Sequence, residues 1–301
     1  MKRFAVKFAE ITAVILLAVL FLPGLVESVL ENVNRRQVEK QDKEIVFDAE
    51  MYPYYQMLNE NGKQIYQELY AHACDGQADF GLQTRAGNEE VTDAFEALWY
   101  DHPELYWLDN TYQYQEKDNQ VMSISLKIND LFQKQQVFEQ AAGEILSSAE
   151  QLPDQYAREK YVHDALIDQV SYDVSSSYNQ SAWSALVNHS SVCAGYARAF
   201  QYLMQKLSIP CYYVGGTSMG EEHGWNIVAL DDSYYNVDVT WDDQENGVDT
   251  YYFFNLPDEM FDATHTRGDQ SVNLPRCLSY DLAHIEDRDI WQNVIFRSRE
   301  S

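Results

Sequence analysis

Apolar side chains recur every three or four residues in four segments between residues 50 and 170, which is the spacing of a buried helix face. Between the second and third segments, two stretches of alternating apolar residues flank the polar run "EKDNQ" and predict a β-hairpin. The first predicted helix contains Leu58, Ile65 and Leu69 and ends near Cys74, and the second, capped by Asn88, contains Val91, Phe95 and Leu98. The hairpin strands contain Tyr112 and Tyr114, and Met122, Ile124, Leu126 and Ile128. The third helix, opened by Asp130, contains Phe138, Ala142 and Ile145, and the fourth, within residues 154–170, contains Val162, Leu166 and Gln169.

Residues 182–256 carry the clearest pattern. A short helix and a serine-rich break precede a strongly amphipathic helix that Pro210 ends. Its predicted inner stripe comprises Cys193, Ala197, Phe200, Leu203, Met204 and Leu207. Beyond Pro210, the pattern predicts a strand at residues 211–214, a loop at "GGTSMGEE", and two strands at 223–230 and 234–240 joined by "DDS".

The N-terminus combines three basic residues, Lys2, Arg3 and Lys7, with an apolar run at residues 11–22. The run is short for a membrane span of about 20 residues, and basic residues follow it as well as precede it. We therefore predict a signal peptide or membrane anchor at residues 1–31, with cleavage and anchorage both open. A polar tether at 32–49 would connect it to a body outside the cytoplasm, with no packed contact between the segment and that body.

Charge narrows the range of partners. The chain has 48 acidic and 21 basic residues, a net charge of −27. Residues 1–43 carry a charge of +2, so the remaining 258 residues carry −29. A body this acidic argues against nucleic acid as a partner and against docking on anionic lipid through the body.

The four cysteines, Cys74, Cys193, Cys211 and Cys277, form no CxxC pair, which excludes a zinc ribbon or a thioredoxin-like motif. Cys193 lies in the first turn of its predicted helix, with Ser190 or Ser191 as the N-cap. Unpaired backbone N–H groups there favour a thiolate and can stabilise an oxyanion beside the sulfur. From the helix alone, a catalytic thiol and a buried core thiol are both open.

His223 and Asp238 lie on the two predicted strands that follow. If Leu230 pairs with Ser233, Trp225 faces Asp238 and His223 is its diagonal neighbour; a tighter turn would place His223 opposite Asp238. Both registers put the imidazole and the carboxylate on one face of the sheet, whereas a shift by one residue would separate them. An acid in that position would orient the imidazole, and we expect its oxygen within about 2.6–3.2 Å of the ring. If Asp238 pointed away, the orienting residue would be Asn226 or Asn236.

The segments "SVCAGYARAF", "HGWNIV" and "YYNVDVTWDD" resemble the three motifs of the bacterial transglutaminase-like superfamily of papain-related thiol enzymes. The resemblance covers residues 160–260, and upstream "DHPELYW" and "YVHDALIDQVSYD" resemble segments that accompany this domain in exported bacterial proteins. It implies that Cys193 is the nucleophile, His223 the general base and acid, and Asp238 its orienting residue. Gly224 departs from the family, which usually has alanine there.

The implied fold is α+β: a papain-like or transglutaminase-like core in which the Cys helix packs on an antiparallel sheet. We predict a smaller N-terminal α+β module at 50–150, the transglutaminase-like domain at 151–260, and a C-terminal extension at 261–301, besides the N-terminal hydrophobic helix.

Several further residues are candidates for supporting roles. The second oxyanion donor is sought among Trp183, Tyr178 and Asn188, with Trp183 preferred, and Trp225 is either a wall of the substrate groove or a packed core residue. Structural roles are favoured for His163, Asp164, His189 and His265. The acidic run of Asp242, Asp243, Glu245 and Asp249 lacks the spacing of a calcium loop and is predicted as a solvated turn, so no metal or cofactor is expected.

These observations predict an exported thiol enzyme that acts on amide or peptide carbonyls through a Cys193 thioester, with hydrolysis favoured over transamidation. The expected partner is a protein or peptide substrate, including cell-envelope material. The alternative is a non-catalytic envelope module that uses the same groove to bind peptides or cell-wall material, because the family includes inactive binding modules as well as transglutaminases, peptidases and amidases.

Overall fold

The computed structural model describes residues 47–243 and 251–279. The predicted signal or anchor segment and most of the tether lie outside these ranges, as does the end of the C-terminal extension. Within the described residues, no helix has both the length and the apolar character needed to cross a membrane.

The predicted helices form close to their expected positions. Side chains of Asn59 and Asp154 accept hydrogen bonds from first-turn N–H groups, which explains where two of them begin. Asn88, however, is inside its helix, with Gly87 as N-cap, and Asp130 opens a short 3₁₀ helix at Asp130–Gln133. The α-helices are α1 (Pro53–Met57), α2 (Glu60–Cys74), α3 (Asn88–Asp101), α4 (Gln135–Ala149), α5 (Gln155–Gln169), α6 (Ala182–Leu186), α7 (Cys193–Lys206), α8 (Val239–Asp242) and α9 (Asp258–Phe261).

In the described residues, three sheets lie among these helices. The strands are β1 (Asp79–Gly81), β2 (Leu108–Lys117), β3 (Gln120–Ile128), β4 (Ser171–Tyr172), β5 (Ser190–Ser191), β6 (Cys211–Ser218), β7 (Glu221–Leu230), β8 (Ser233–Val237) and β9 (His265–Arg267). Strand order is β1-β3-β2 in the first sheet and β8-β7-β6-β9 in the third, both antiparallel, and β4 and β5 form a short parallel pair. The architecture is α+β with antiparallel sheets, as predicted.

The loop predicted at "GGTSMGEE" is wrong. β6 continues through both glycines to Ser218, and only Met219 and Gly220, with φ of 52° and 88°, make the turn into β7. The glycines are needed because another strand lies close to them: a Cβ on Gly216 would be 2.8 Å from the Trp225 ring and closer still to the Thr266 carbonyl of β9. The long β6–β7 hairpin therefore extends the sheet beneath the candidate site.

Helix α7 is the centre of the core. Its predicted stripe is buried from Ala197 to Leu207, while Cys193 at its start remains half-buried. The helix packs against strands β6 and β7 and helices α5 and α6. Asn226 of β7 donates a hydrogen bond of 3.0 Å to the carbonyl oxygen of Ala197, which ties the sheet to the helix beside its first turns.

A buried arginine joins α7 to the segment that ends α3. Arg198 is 1% exposed, lies 4.0 Å above the Trp99 ring, and donates hydrogen bonds to the carbonyl oxygens of Trp99 and His102. Gln201 donates to the carbonyl of Tyr100 in the same way. These contacts place the aromatic end of α3 against the start of α7, where it forms one wall of a cavity.

Candidate active site

Cys193 is the first residue of α7, where the backbone N–H groups of the first turn have no carbonyl within the helix to bond. The predicted serine N-cap is wrong, because Val192 occupies that position and caps nothing with its side chain. Ser191 lies in β5, and its hydroxyl hydrogen-bonds Ser184 Oγ at 2.6 Å and the carbonyl of Asn179 at 3.1 Å. The N–H of Gly195 bonds the Val192 carbonyl, so among the described residues the N–H groups of Cys193 and Ala194 are the ones left beside the sulfur.

Asp238 lies beside His223, as expected. Pairing of Leu230 with Ser233 selects the first of the two registers, and the last pair is Asn226 with Val237. Asp238 follows as the N-cap of α8, and its Oδ1 accepts hydrogen bonds from the N–H groups of Thr240 and Trp241 at 3.0 and 3.1 Å. Its Oδ2 lies 2.6 Å from His223 Nε2, so the predicted hydrogen bond is confirmed.

His223 and Asp238 each stabilise the charged form of the other. Burial alone would lower the pKa of His223, but the charge and hydrogen bond of Asp238, together with Cys193, raise it to about 10. Burial likewise raises the pKa of Asp238, yet His223 and then His265 lower it to about 2. At neutral pH the pair is therefore an imidazolium bound to a carboxylate, and Nδ1 of His223 is left for Cys193.

Cys193 and His223 open into one cavity of about 660 Å³ between the end of α3 and the β6–β7 hairpin. Three carboxylates, Glu96, Glu222 and Asp269, line it, and within the described part of the chain no lysine or arginine does. The other lining residues are Phe95, Trp99, Tyr100, Asn110, Gln180, Ala194, Tyr213, Gly215, Gly216, Thr217, Gly224, Gly268 and Gln270. The cavity is large enough for a peptide side chain or a short peptide segment.

Part of this chain is similar to known proteins. Residues 144–239 match the sequence profile of the transglutaminase-like superfamily. These residues form a transglutaminase-like domain. The matched range begins within α4 and ends one residue after Asp238, so it contains Cys193, His223 and Asp238.

Solved structures to which this chain is similar include a TGase (12% identity, TM-score 0.34, 49% of this chain and 48% of that one). A cysteine protease described as putative from Cytophaga hutchinsonii has 13% identity and a TM-score of 0.32, over 52% of this chain and 65% of that one. The periplasmic domain of TgpA from Pseudomonas aeruginosa has 12% identity and a TM-score of 0.30, over 43% and 62%. The present chain thus spans about half to two thirds of these proteins, and no curated protein matches its sequence.

A second histidine lies at the site: His265 on β9, for which the sequence favoured a structural role and predicted no contact with Asp238. Its Nε2 lies 3.1 Å from the same Asp238 Oδ2, and its Nδ1 lies 2.8 Å from Thr264 Oγ1. The ring is buried and stacks on Phe261 at 4.0 Å between centroids. The Asp238 carboxylate is therefore held by four hydrogen bonds from described residues, two from imidazoles and two from backbone N–H groups.

His223, Asp238 and His265 are also the group in the described residues that offers three metal-ligating atoms within 4.8 Å of one another. Hydrogen bonds of 2.6 and 3.1 Å already join these atoms. The hydrogen bonds by themselves account for the clustering, and an ion among the three groups would have to replace them.

The structure does not bring the other predicted site residues into the cavity. The Trp183 ring is buried between Tyr106 and Phe138, and its Nε1 donates to Asn188 Oδ1 at 3.1 Å. Tyr178 donates to Asp130 at 2.5 Å. Trp225 is 2% exposed and lies behind His223, with 6.2 Å between ring centroids, so it supports the imidazole from the core side.

The solvated turn predicted at the acidic run is wrong for its first two members. Asp242 is fully buried and lies 3.1 Å from Nε2 of His163, and Asp243 accepts a hydrogen bond of 2.6 Å from Tyr196. Nδ1 of His163 lies 3.2 Å from Asp164, so two carboxylates flank one buried imidazole. Glu245 and Asp249 lie outside the described residues. The His163–Asp242 pair fixes the end of the short helix that Asp238 begins.

This pair makes stability depend on pH. Burial lowers the pKa of His163, but its hydrogen bonds to the carboxylates of Asp164 and Asp242 raise it to about 9. The stabilisation is fully present below about pH 6.5, the ordinary pKa of the imidazole, and is lost as the pH rises through about 9. We expect the difference in unfolding free energy between wild type and His163→Gln to shrink by about 2–3 kcal/mol over that range. Urea titrations at several pH values measure it, and a difference independent of pH would contradict the assignment.

Proposed function

We propose that this protein is an exported thiol enzyme that cleaves amide bonds of protein or peptide substrates through a Cys193 thioester. The observation that carries the proposal is the 2.6 Å bond between His223 and Asp238 at the wall of the cavity into which Cys193 opens. A groove that only binds has no need for a thiol beside an imidazole whose pKa is raised to about 10.

The first chemical step is attack by sulfur. His223 holds the proton of Cys193 as an imidazolium, so the thiolate is available to attack an amide carbonyl in the cavity. The new S–C bond moves the carbonyl electron pair onto oxygen. The first-turn N–H groups of α7 lie next to the sulfur and supply donors for that oxyanion.

The second step expels the amine. Nδ1 of His223 faces the sulfur because Nε2 is bonded to Asp238, so the same proton is delivered to the leaving nitrogen as the C–N bond breaks. The remaining thioester is cleaved when His223, now neutral, takes a proton from water. Attack by that water releases a carboxylic acid, expels the Cys193 thiolate and restores the thiolate–imidazolium pair.

A second candidate acceptor is a primary amine. Glu96 and Glu222 both line the cavity. The pKa of the Tyr100 phenol is raised to about 12, mainly by burial and next by the negative charges of these two residues. Carboxylates that act on a cavity group in this way would also attract an ammonium group, which favours an amine-bearing acceptor or a cationic residue beside the reacting carbonyl. Hydrolysis and transamidation share every step up to the thioester.

Location outside the cytoplasm is part of the proposal. It is supported by the basic N-terminus, by the apolar run at residues 11–22, and by the charge of −29 carried by the 258 residues that follow position 43. Cell-envelope protein or peptide is the proposed substrate.

Selective alkylation tests the proposal. Iodoacetamide near neutral pH should modify Cys193 stoichiometrically and at least about ten times faster than Cys74, which is exposed but lies at the end of α2. Peptide mass spectrometry locates the adducts, and Cys211 and Cys277, both buried, should stay unmodified in the native protein. Equal rates at Cys193 and Cys74 would favour the binding-module alternative.

The same protein incubated with candidate amide substrates should then accumulate a thioester adduct on Cys193, detected as a mass increase. Adding a fluorescent diamine separates the two acceptors, because transamidation attaches the fluorophore to the substrate and hydrolysis does not.

A further inference from the structure

Tyr213 places a phenol in the wall of the catalytic cavity. It lies on β6 opposite Asn226, is 6% exposed, and lines the cavity with Cys193 and His223. Its ring packs edge-on against Trp99, with 5.3 Å between centroids, and against Ala194, the residue after the nucleophile. Its backbone carbonyl accepts a 2.6 Å hydrogen bond from the Tyr54 hydroxyl. Ring and backbone are both held in place.

Glycine at position 224 makes room for this phenol. A Cβ built on Gly224 would lie 2.8 Å from Tyr213 Cζ and nearer still to the hydroxyl oxygen, a distance that side chains do not adopt without moving. The hydroxyl therefore occupies the space that an alanine methyl would fill at the position after His223. The one departure of this sequence from the superfamily motif thus coincides with a polar group that enters the site.

The Tyr213 hydroxyl is available to a molecule in the cavity, because within the described residues it has no hydrogen-bond partner. Burial raises the pKa of the phenol, and the negative charge of Cys193 is the next largest cause. The phenol therefore keeps its proton throughout the working pH range. A protonated, unpartnered O–H at the edge of a cavity is a hydrogen-bond donor for whatever enters it.

We propose that Tyr213 is a catalytic residue whose hydroxyl donates a hydrogen bond to the oxyanion formed when Cys193 attacks the substrate carbonyl. This inference rests on the proposed function, and it gives a second donor besides the backbone N–H groups at the start of α7. The candidates taken from the sequence do not fill that role, since Trp183, Tyr178 and Asn188 are bonded elsewhere.

The tyrosine proton does not transfer in this step. Sulfur forms a bond to the carbonyl carbon, and the π electrons move to oxygen, where the Tyr213 O–H and the α7 N–H groups stabilise the charge. Collapse of the tetrahedral intermediate restores the C=O bond and expels the leaving group. The Tyr213 hydroxyl is still protonated at the end of the step.

Comparing two reactions of Cys193 isolates this role. Acylation by p-nitrophenyl acetate passes through an oxyanion, whereas alkylation by iodoacetamide displaces iodide without one. Tyr213→Phe should slow acylation by about 10²–10³-fold, the usual loss for one oxyanion donor, and should change the alkylation rate by less than about twofold. Release of p-nitrophenolate and mass spectrometry follow the two reactions.

The neighbouring tyrosine is the matched control. Tyr212 is equally buried but interacts with Tyr234 on the other face of β6, so Tyr212→Phe should leave both rates near those of wild type. The melting temperature of Tyr213→Phe should stay within about 2 °C of wild type, because removing the hydroxyl breaks no hydrogen bond within the described residues.

Each other result overturns the assignment in a recognisable way. Wild-type acylation in Tyr213→Phe shows that the hydroxyl does not touch the oxyanion, while the proposed thiol chemistry stands. Equal slowing of acylation and alkylation means that the hydroxyl acts on the thiolate, and a lower melting temperature means a structural role. A wild-type protein that is alkylated at Cys193 but never acylated removes the proposed function and this inference together.

Discussion

Replacing Cys193 with alanine is expected to abolish turnover, with a loss of at least about 10⁴-fold, because no other cysteine among the described residues lines the cavity and could form the thioester. Stability should hardly change. Cys193 is half-buried at the first position of α7, where alanine is readily accommodated. The substitution also removes no capping hydrogen bond, because the N-cap residue is Val192 and its side chain makes none. Residual substrate cleavage and the thermal unfolding midpoint are the two measurements.

Cys74→Ala is the matched control, because it also removes a thiol, and that thiol is exposed on α2 and is not among the residues that line the cavity. It should retain full activity. If Cys193→Ala turned over substrate at the wild-type rate, the thioester mechanism would be wrong whatever the geometry of the remaining residues.

Asp238→Asn is expected to lower kcat by about 10⁴-fold with little effect on the fold. An asparagine keeps a carbonyl oxygen that can accept the Thr240 and Trp241 N–H groups, so α8 retains its cap. Its NH₂ group cannot accept the proton of His223 Nε2, and the carboxylate charge that raises the pKa of His223 to about 10 is gone. The imidazole then returns towards its ordinary pKa near 6.5 and is mostly neutral at pH 7.5.

The pH dependence of Cys193 alkylation checks this reasoning. In wild type the thiolate–imidazolium pair should persist up to about pH 10, and in Asp238→Asn its upper limit should fall by two or more pH units. Asp232→Asn, in the exposed β7–β8 turn, removes the same charge away from the imidazole and should behave as wild type. An unchanged upper limit in Asp238→Asn would show that another group sets the charge of His223.

Local pattern was enough wherever one element decides the outcome. The apolar stripe of α7 predicts a buried helix with Cys193 in its first turn, and both registers expected for the β7–β8 hairpin keep His223 and Asp238 on one face. The His223–Asp238 contact was therefore predictable without knowing which register forms. The catalytic roles of the three residues remain predictions.

Local pattern failed where a second strand or helix approaches. Gly215 and Gly216 were assigned to a loop because glycine usually marks one, whereas here the absence of side chains lets β9 pair with β6. Ser190 and Ser191 have the chemistry of an N-cap, but pairing with β4 takes them into a strand. In both cases a contact distant in sequence outweighed the local preference of the residue.

Taken alone, the sequence determined the parts of the site that short-range spacing controls: a thiol at a helix N-terminus, and an imidazole and a carboxylate on one hairpin. Only the tertiary structure decided what surrounds them. His265 on β9 hydrogen-bonds Asp238, and Asp242 pairs with His163, which lies 79 residues away in the sequence. The Tyr213 phenol occupies the space left by the missing side chain of Gly224. The physical reason is that burial and hydrogen bonding in a core depend on which surfaces pack together, and no periodicity within one element encodes that.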